Sequence, residues 1–162
     1  MNTKGAIKFL EKQIKNPSEG MPEEIFFFIS KITPMINVDL LIKDEKGRTL
    51  LAWRDDDFYK GWHIPGGIIR FKEKSETRIQ KVAKREIGYK IKFDPAPMAI
   101  YQVMARRNTR GHFISLLYKC FLSNKFVLKN KGLSKKDAGY LMWHDSCPRE
   151  LLKCQCMYKK YI

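Results

Sequence analysis

Residues 62–89 read WHIPGGIIRFKEKSETRIQKVAKREIGY, and the spacing inside this stretch decides the fold. Pro65 followed by Gly66 and Gly67 predicts a rigid turn whose backbone can be approached closely, since glycine has no Cβ. Helical spacing follows: Ile79, Val82, Ala83 and Ile87 make one apolar stripe of a helix expected over residues 73–87, and Gly88 suits its C-terminal cap. Glu73 and Glu86 sit on that helix. Carboxylates facing a glycine turn with free carbonyls form an oxygen-lined corner suited to a hard divalent cation. A cation held there can bridge a diphosphate and neutralise charge as a bond breaks. The plain alternative is a strand-to-helix connection with a solvated helix face.

Outward from this stretch, the pattern alternates strands and helices. Ile7, Leu10 and Ile14 recur at helical spacing over residues 3–16, and Pro17 ends the run. Glu24 to Ser30 carries three consecutive phenylalanines and suits a buried strand or an interface segment. Strands are expected over 35–43 and 49–54, joined by a turn at Asp44–Gly47, and the polar stretch 55–61 reads as an exposed loop. Further strands are expected over 89–93, 98–105, 112–122 and 140–144, with a closing helix over 148–161. No repeat or linker interrupts the chain, so a single α/β domain with a mixed sheet is the expected architecture.

The whole-chain numbers narrow the function. A chain of 162 residues, 44% hydrophobic, suits one globular unit and excludes disorder as the default. No apolar run approaches the ~20 residues of a membrane span, and residues 1–10 lack a signal-type core, so a cytoplasmic location is expected. Cys120, Cys147, Cys154 and Cys156 read as free thiols; Cys154 and Cys156 lack the second pair that a zinc site needs. Thirty-two Lys and Arg against 17 acids give a formal charge of +15, a field that gathers phosphate-bearing ligands. The basic residues are spread rather than clustered, which favours a small anion over nucleic acid.

The register of residues 67–89 resembles the signature of the Nudix hydrolases, G-x5-E-x7-R-E-U-x-E-E-x-G-U, with U a bulky apolar residue. Gly67, Glu73, Glu86 and Gly88 match without a gap, and Trp62–Gly67 resembles the W-x-x-P-G-G lead-in of that superfamily. Lys81 stands where the family has arginine, and Val82 and Arg85 stand where it has two glutamates. The resemblance implies a Nudix-type α/β/α sandwich, a mixed β-sheet between helices, over 33–162. Residues 1–32 would form an N-terminal extension of helix and strand.

The reduced carboxylate set is most similar to the GDP-mannose mannosyl hydrolase branch. That likeness implies a magnesium ion, replaceable by manganese, held by the Gly66 carbonyl and the Glu86 carboxylate with a third ligand from a later loop. Glu73 joins the metal set through water or supports the helix. Asp39 and Arg54 fall where that branch binds substrate and stabilises the leaving diphosphate. Their plain readings are a solvent-facing strand residue and an ion pair with Asp55–Asp57. The branch places a histidine base and a glutamine ligand near Asp137 and Ala138. No histidine lies between His112 and His144, so Asp137 becomes the candidate both for metal ligand and for water activation. Lys81 is the candidate for neutralising charge without the forked geometry of arginine.

Arg107 and Arg110, with Arg106, are candidates to clasp phosphate, or form a solvated hairpin tip. His63 and Tyr59 are placed to touch substrate or to pack, whereas Trp62 and His144 read as structural. The expected activity is magnesium-dependent hydrolysis of a nucleoside-diphosphate sugar. The alternatives are pyrophosphatase action on another nucleoside-diphosphate derivative, and a catalytically impaired module that binds nucleotide or RNA. Since the branch commonly dimerises, the Ile25–Ile29 segment is a candidate homodimer contact.

Overall fold

The computed structural model describes residues 2–162. Two helices lead the chain, α1 (Thr3–Gln13) and α2 (Glu23–Ile32). The Asn2 side chain caps α1 by accepting from the Gly5 N–H at 2.9 Å, satisfying one of the free donors of the first turn. The strands β1 (Met35–Ile42), β2 (Thr49–Asp55), β3 (Lys60–His63) and β4 (Gly66–Ile68) follow, and then helix α3 (Ser75–Val82), which runs on as a wider π turn over Ala83–Ile87. After it come β5 (Lys92–Phe93), β6 (Ala99–Met104), β7 (His112–Phe121) and β8 (Leu141–His144), and a 3-10 segment, Lys153–Tyr161, closes the fold.

The strands make two sheets. In the larger, β1 runs parallel to β7 and antiparallel to β4, while β5 and β6 both pair antiparallel with β7. In the smaller, β2 lies antiparallel between β3 and β8. The expected α/β fold with a mixed sheet is therefore present, though three strands split off into a separate antiparallel layer. Alternation along β1 and β2 explains the two cores, since neighbouring strand residues face opposite ways. Val38, Leu40, Ile42, Leu50 and Ala52 pack with Ile79, Val82, Ala83 and Ile87 of the helix stripe. Leu41, Leu51 and Trp53 point the other way, into Trp62, Ile64, Leu151 and Tyr158. Trp62 and His144 pack edge to face at 4.6 Å, both buried, as the structural reading of each requires.

Several expected elements differ. Residues 23–32 are helical, not a strand: the triplet places Phe27 against Phe58 and leaves Phe28 half-exposed, so tertiary packing rather than the apolar run sets the conformation. The loop expected over 55–61 gives way at Lys60 to β3, and the strand expected over 89–93 shrinks to two residues. The closing helix is a 3-10 run held by Gln155, whose amide accepts from the Ile64 N–H at 2.7 Å and donates to the Ile64 carbonyl at 3.3 Å. That clamp fixes the turn just before Gly66. Among the described residues no helix is long and apolar enough to cross a membrane, and all four cysteines are free.

Candidate functional site

Asp39 pairs with Gly66 across β1 and β4, which brings the double-glycine turn against a buried carboxyl. A Cβ on Gly66 would run into the Asp39 carboxylate and the Val38 carbonyl, and one on Gly67 would press on Val82 at 2.8 Å. Both glycines are therefore required by space. Asp39 is not solvent-facing. It is 3% exposed, and its Oδ2 accepts from the Tyr158 hydroxyl at 2.7 Å. Burial pushes its pKa up to about 6, hydrogen bonds from Tyr158 and Ser115 offset part of the rise, and the Glu86 charge adds to it.

The cleft at this turn encloses about 200 Å³ and is walled by Arg54, Arg70, Arg78, Arg85 and Arg110, with Asp39 as its single acidic lining residue. Five arginines around one carboxyl give the cleft a positive lining suited to an anion, although Arg54, Arg78 and Arg85 already pair with Asp56, Glu73 and Glu86. His63 also lines the cleft, and its Nδ1 donates to the Ile64 carbonyl at 2.9 Å. Burial lowers its pKa, so the ring is neutral at pH 7.

Each arginine is held differently. Arg54 pairs with Asp56, the local ion pair anticipated in sequence, yet still lies over the Tyr59 ring at 4.8 Å and faces the cleft. Arg110 is aimed by its surroundings: its N–H donates to Ser30 Oγ on α2 at 3.0 Å, and its guanidinium lies 4.8 Å from the Phe58 ring. Helix α2 thus backs the loop that carries Arg110 without lining the cleft itself. Arg78 and Arg85 stand seven residues apart on one face of the helix, and a Cβ on Gly67 would lie 3.6 Å and 3.7 Å from them.

Other expected residues lie elsewhere. Glu73 is buried beneath the loop, where it accepts from the Arg70 N–H, binds Arg78 at 2.6 Å and holds Lys81 at 3.2 Å. It braces the helix start and is not among the cleft lining; Lys81, spent on Glu73, does not reach the cleft either. Burial works to raise the Glu73 pKa, but the Arg70 N–H, Arg78 and Lys81 outweigh it and hold the carboxyl below its usual range. Asp137 is turned into its own loop, accepting from the Ser134 N–H at 2.7 Å, and does not line the cleft. The carboxylate expected to activate water therefore lies in an exposed turn away from the cleft. Arg107 donates to the Phe58 carbonyl at 2.8 Å and stacks on Tyr59, so it lines a neighbouring groove of about 710 Å³ instead. The groove and the cleft meet at Tyr59, Val103, Leu152 and Cys154.

A divalent ion has few ligands here. Among the described residues no three of His, Cys, Asp and Glu gather as a metal cluster. Glu86 Oε2 is nonetheless buried without a partner and wants a cation or donor, while its Oε1 shares Arg85 Nη2 with the Gly66 carbonyl. Magnesium needs only one or two carboxylates when substrate phosphates and water complete its shell. The Glu86 carboxylate and the Gly66 carbonyl fit that reduced role. Sequence reading treated Arg85 only as a missing glutamate and passed over Arg70, Arg78 and Tyr158; the seven-residue spacing of Arg78 and Arg85 was the legible signal.

No family model matches the chain. It is 31% identical over 77 residues to the low-salt glycan biosynthesis protein Agl8 of Haloferax volcanii, a stretch covering 47% of this chain and 49% of that protein. The match thus spans about half the length of that relative. Among solved structures, a MutT Nudix hydrolase from Burkholderia pseudomallei superposes with a TM-score of 0.61 at 19% identity, covering 80% of this chain and 98% of its own. A structure described as UDP-X diphosphatase gives 0.58 at 18% identity, covering 99% and 92%. One described as an asymmetric diadenosine tetraphosphate hydrolase from Jonesia denitrificans gives 0.59 at 17%, covering 80% and 92%. Superposing over most of their length on these structures, this chain has the fold of the Nudix hydrolases.

Proposed function

We propose that the chain is a Nudix hydrolase that cleaves a nucleoside diphosphate joined to a sugar, with magnesium, or manganese in its place, as cofactor. The observation that carries this reading is the convergence of five arginines on a cleft that also holds the Asp39 carboxyl and abuts Glu86. A diphosphate matches that charge and size. The sugar side draws support from a relative named for glycan biosynthesis and from a fold neighbour named as a UDP-X diphosphatase. The neighbouring groove, with Phe58, Tyr59 and Arg107, offers flat aromatic and guanidinium faces to a base or sugar.

In mechanism, Arg54 and Arg110 clamp the diphosphate and neutralise charge that builds on the leaving group. The Glu86 carboxylate and the Gly66 carbonyl would hold the magnesium, which when bound supplies further positive charge to the phosphates. Asp39, oriented by Tyr158, accepts the proton of the attacking water. With Asp137 engaged in its own loop, no group takes the position of the late-loop base of the mannosyl branch, so attack at phosphorus is expected rather than at the sugar carbon.

The test is a panel of nucleoside-diphosphate sugars turned over in oxygen-18 water with magnesium. Label in a phosphate product supports attack at phosphorus; label in the free sugar moves the chemistry to the anomeric carbon. One observation favours a second reading, a nucleotide-binding module without turnover: an arginine stands where the family has a carboxylate. Tight binding with no product from any substrate would establish it. We also propose that the chain works in the cytoplasm and that a homodimer forms through the exposed Phe28 and Ile32 edge of α2, which sedimentation of a Phe28→Glu variant would test.

A further inference from the structure

The corner assigned to the metal already contains a positive charge. Arg85 Nη2 lies 2.7 Å from Glu86 Oε1 and donates to the Gly66 carbonyl at 3.4 Å, so one guanidinium touches both oxygens that a divalent ion would use. A second cation cannot share these oxygens at such range without strong repulsion. We propose that Arg85 is a built-in placeholder, which closes the corner in the free protein and leaves it when a diphosphate arrives, so that metal and diphosphate each bind more tightly in the presence of the other. The inference rests on the reading that this corner takes a divalent ion.

Three features make the exchange feasible. The Arg85 side chain is 63% exposed at the end of its helix, so its withdrawal uncovers little packed surface. Arg78, on the same face, is 9% exposed and pinned by Glu73, and Arg54 is paired with Asp56. Arg110 is boxed by aromatic rings. Arg85 is thus the cleft arginine whose present partners are the metal oxygens themselves. A diphosphate offers it paired acceptors a short swing away. The second Glu86 oxygen has no partner at all in the closed arrangement, so the corner is not satisfied by Arg85 alone. When the guanidinium moves onto phosphate, both Glu86 oxygens and the Gly66 carbonyl become free together. The arginine that replaces a family glutamate then links metal entry to substrate entry, which spares the site from occupation by ions without cargo.

Manganese binding, followed by paramagnetic resonance, tests this without any turnover. Titrations are run on wild type, Arg85→Gln and Glu86→Gln, with and without methylene diphosphonate, which is not cleaved. Wild type should bind manganese weakly alone and about tenfold more tightly with the diphosphonate. By linkage, manganese should tighten diphosphonate binding by the same factor. Arg85→Gln should bind manganese alone about tenfold better than wild type and show a smaller diphosphonate effect. Should Arg85→Gln bind manganese no better than wild type, while Glu86→Gln abolishes binding in both states, the placeholder is overturned and the metal corner stands. Should no protein bind manganese under any condition, the metal corner itself falls and the placeholder falls with it.

Discussion

Glu73 braces the start of the helix through Arg78 and Lys81 and lies off the cleft. Its carboxylate is 4% exposed and lies against Arg78, itself 9% exposed. Removing it in Glu73→Ala would strand the Arg78 charge, and we expect a loss of about 3 kcal/mol in a denaturant titration. The pH dependence follows from the direction of its shift. A carboxyl held below its usual range contributes stability above the unfolded-state pKa, and that contribution is lost as pH falls through the lower folded value. Wild type should therefore lose stability below roughly pH 4, and Glu73→Gln, starting lower, should show a flatter decline. At the opposite wall, Arg110→Ala should weaken diphosphonate binding by about tenfold to a hundredfold, as a charged hydrogen bond of about 1.5–3 kcal/mol disappears; calorimetry reads it. Single residues were unevenly legible in sequence. The nearness of Gly66 to the Arg85–Glu86 end of the helix was legible because the register is rigid, fixed by one turn and one helix. Asp137 misled because the segment 123–139 has no periodicity to fix a direction, and its carboxylate closes a local turn. Arg85 was counted as an absent acid, whereas in the fold it adds a positive charge against Glu86.

Elements carry the site by their ends. Helix α3 and its π turn place Arg85 and Glu86 in the last turn before Gly88, which adopts φ +80° and donates to the Ala83 carbonyl at 2.9 Å. Such widened turns are frequent at functional sites. Gly88→Ala should cost about 1–2 kcal/mol, since a Cβ is strained at positive φ and would also meet Lys129, which caps the helix end through the Gly88 carbonyl. A thermal melt measures this, and an unchanged midpoint would remove the cap from the account. Periodicity revealed β1, β2, β7 and this helix well, because each presents one buried face to a core. It failed for Ile25–Ile29, where apolar residues on every side suit a strand or a buried helix equally. The outcome there was set by partners distant in sequence, Phe58 and the loop carrying Arg110. The 3-10 ending was hidden for the same reason, its conformation following from Gln155 gripping Ile64 and Tyr158 reaching Asp39.

At the scale of the molecule, the +15 charge is spread along the sequence but becomes a directed field where the turn, α3 and the 105–111 loop converge. Composition raised the expectation of an anionic ligand; only folding showed that five arginines share one cleft. Diphosphonate affinity should consequently fall by about tenfold between roughly 50 and 500 mM salt, because screening reaches the open side of the cleft. The central claim is that this cleft, with Glu86 at its edge, hydrolyses a nucleoside-diphosphate sugar. A single-turnover assay of wild type and Glu86→Gln on the best substrate of the panel, with and without magnesium, tests it most directly. The account predicts magnesium-dependent product release by wild type, slowed about a hundredfold or more in the variant. Equal rates in the two proteins, or product formed at the same rate in chelator, would contradict it.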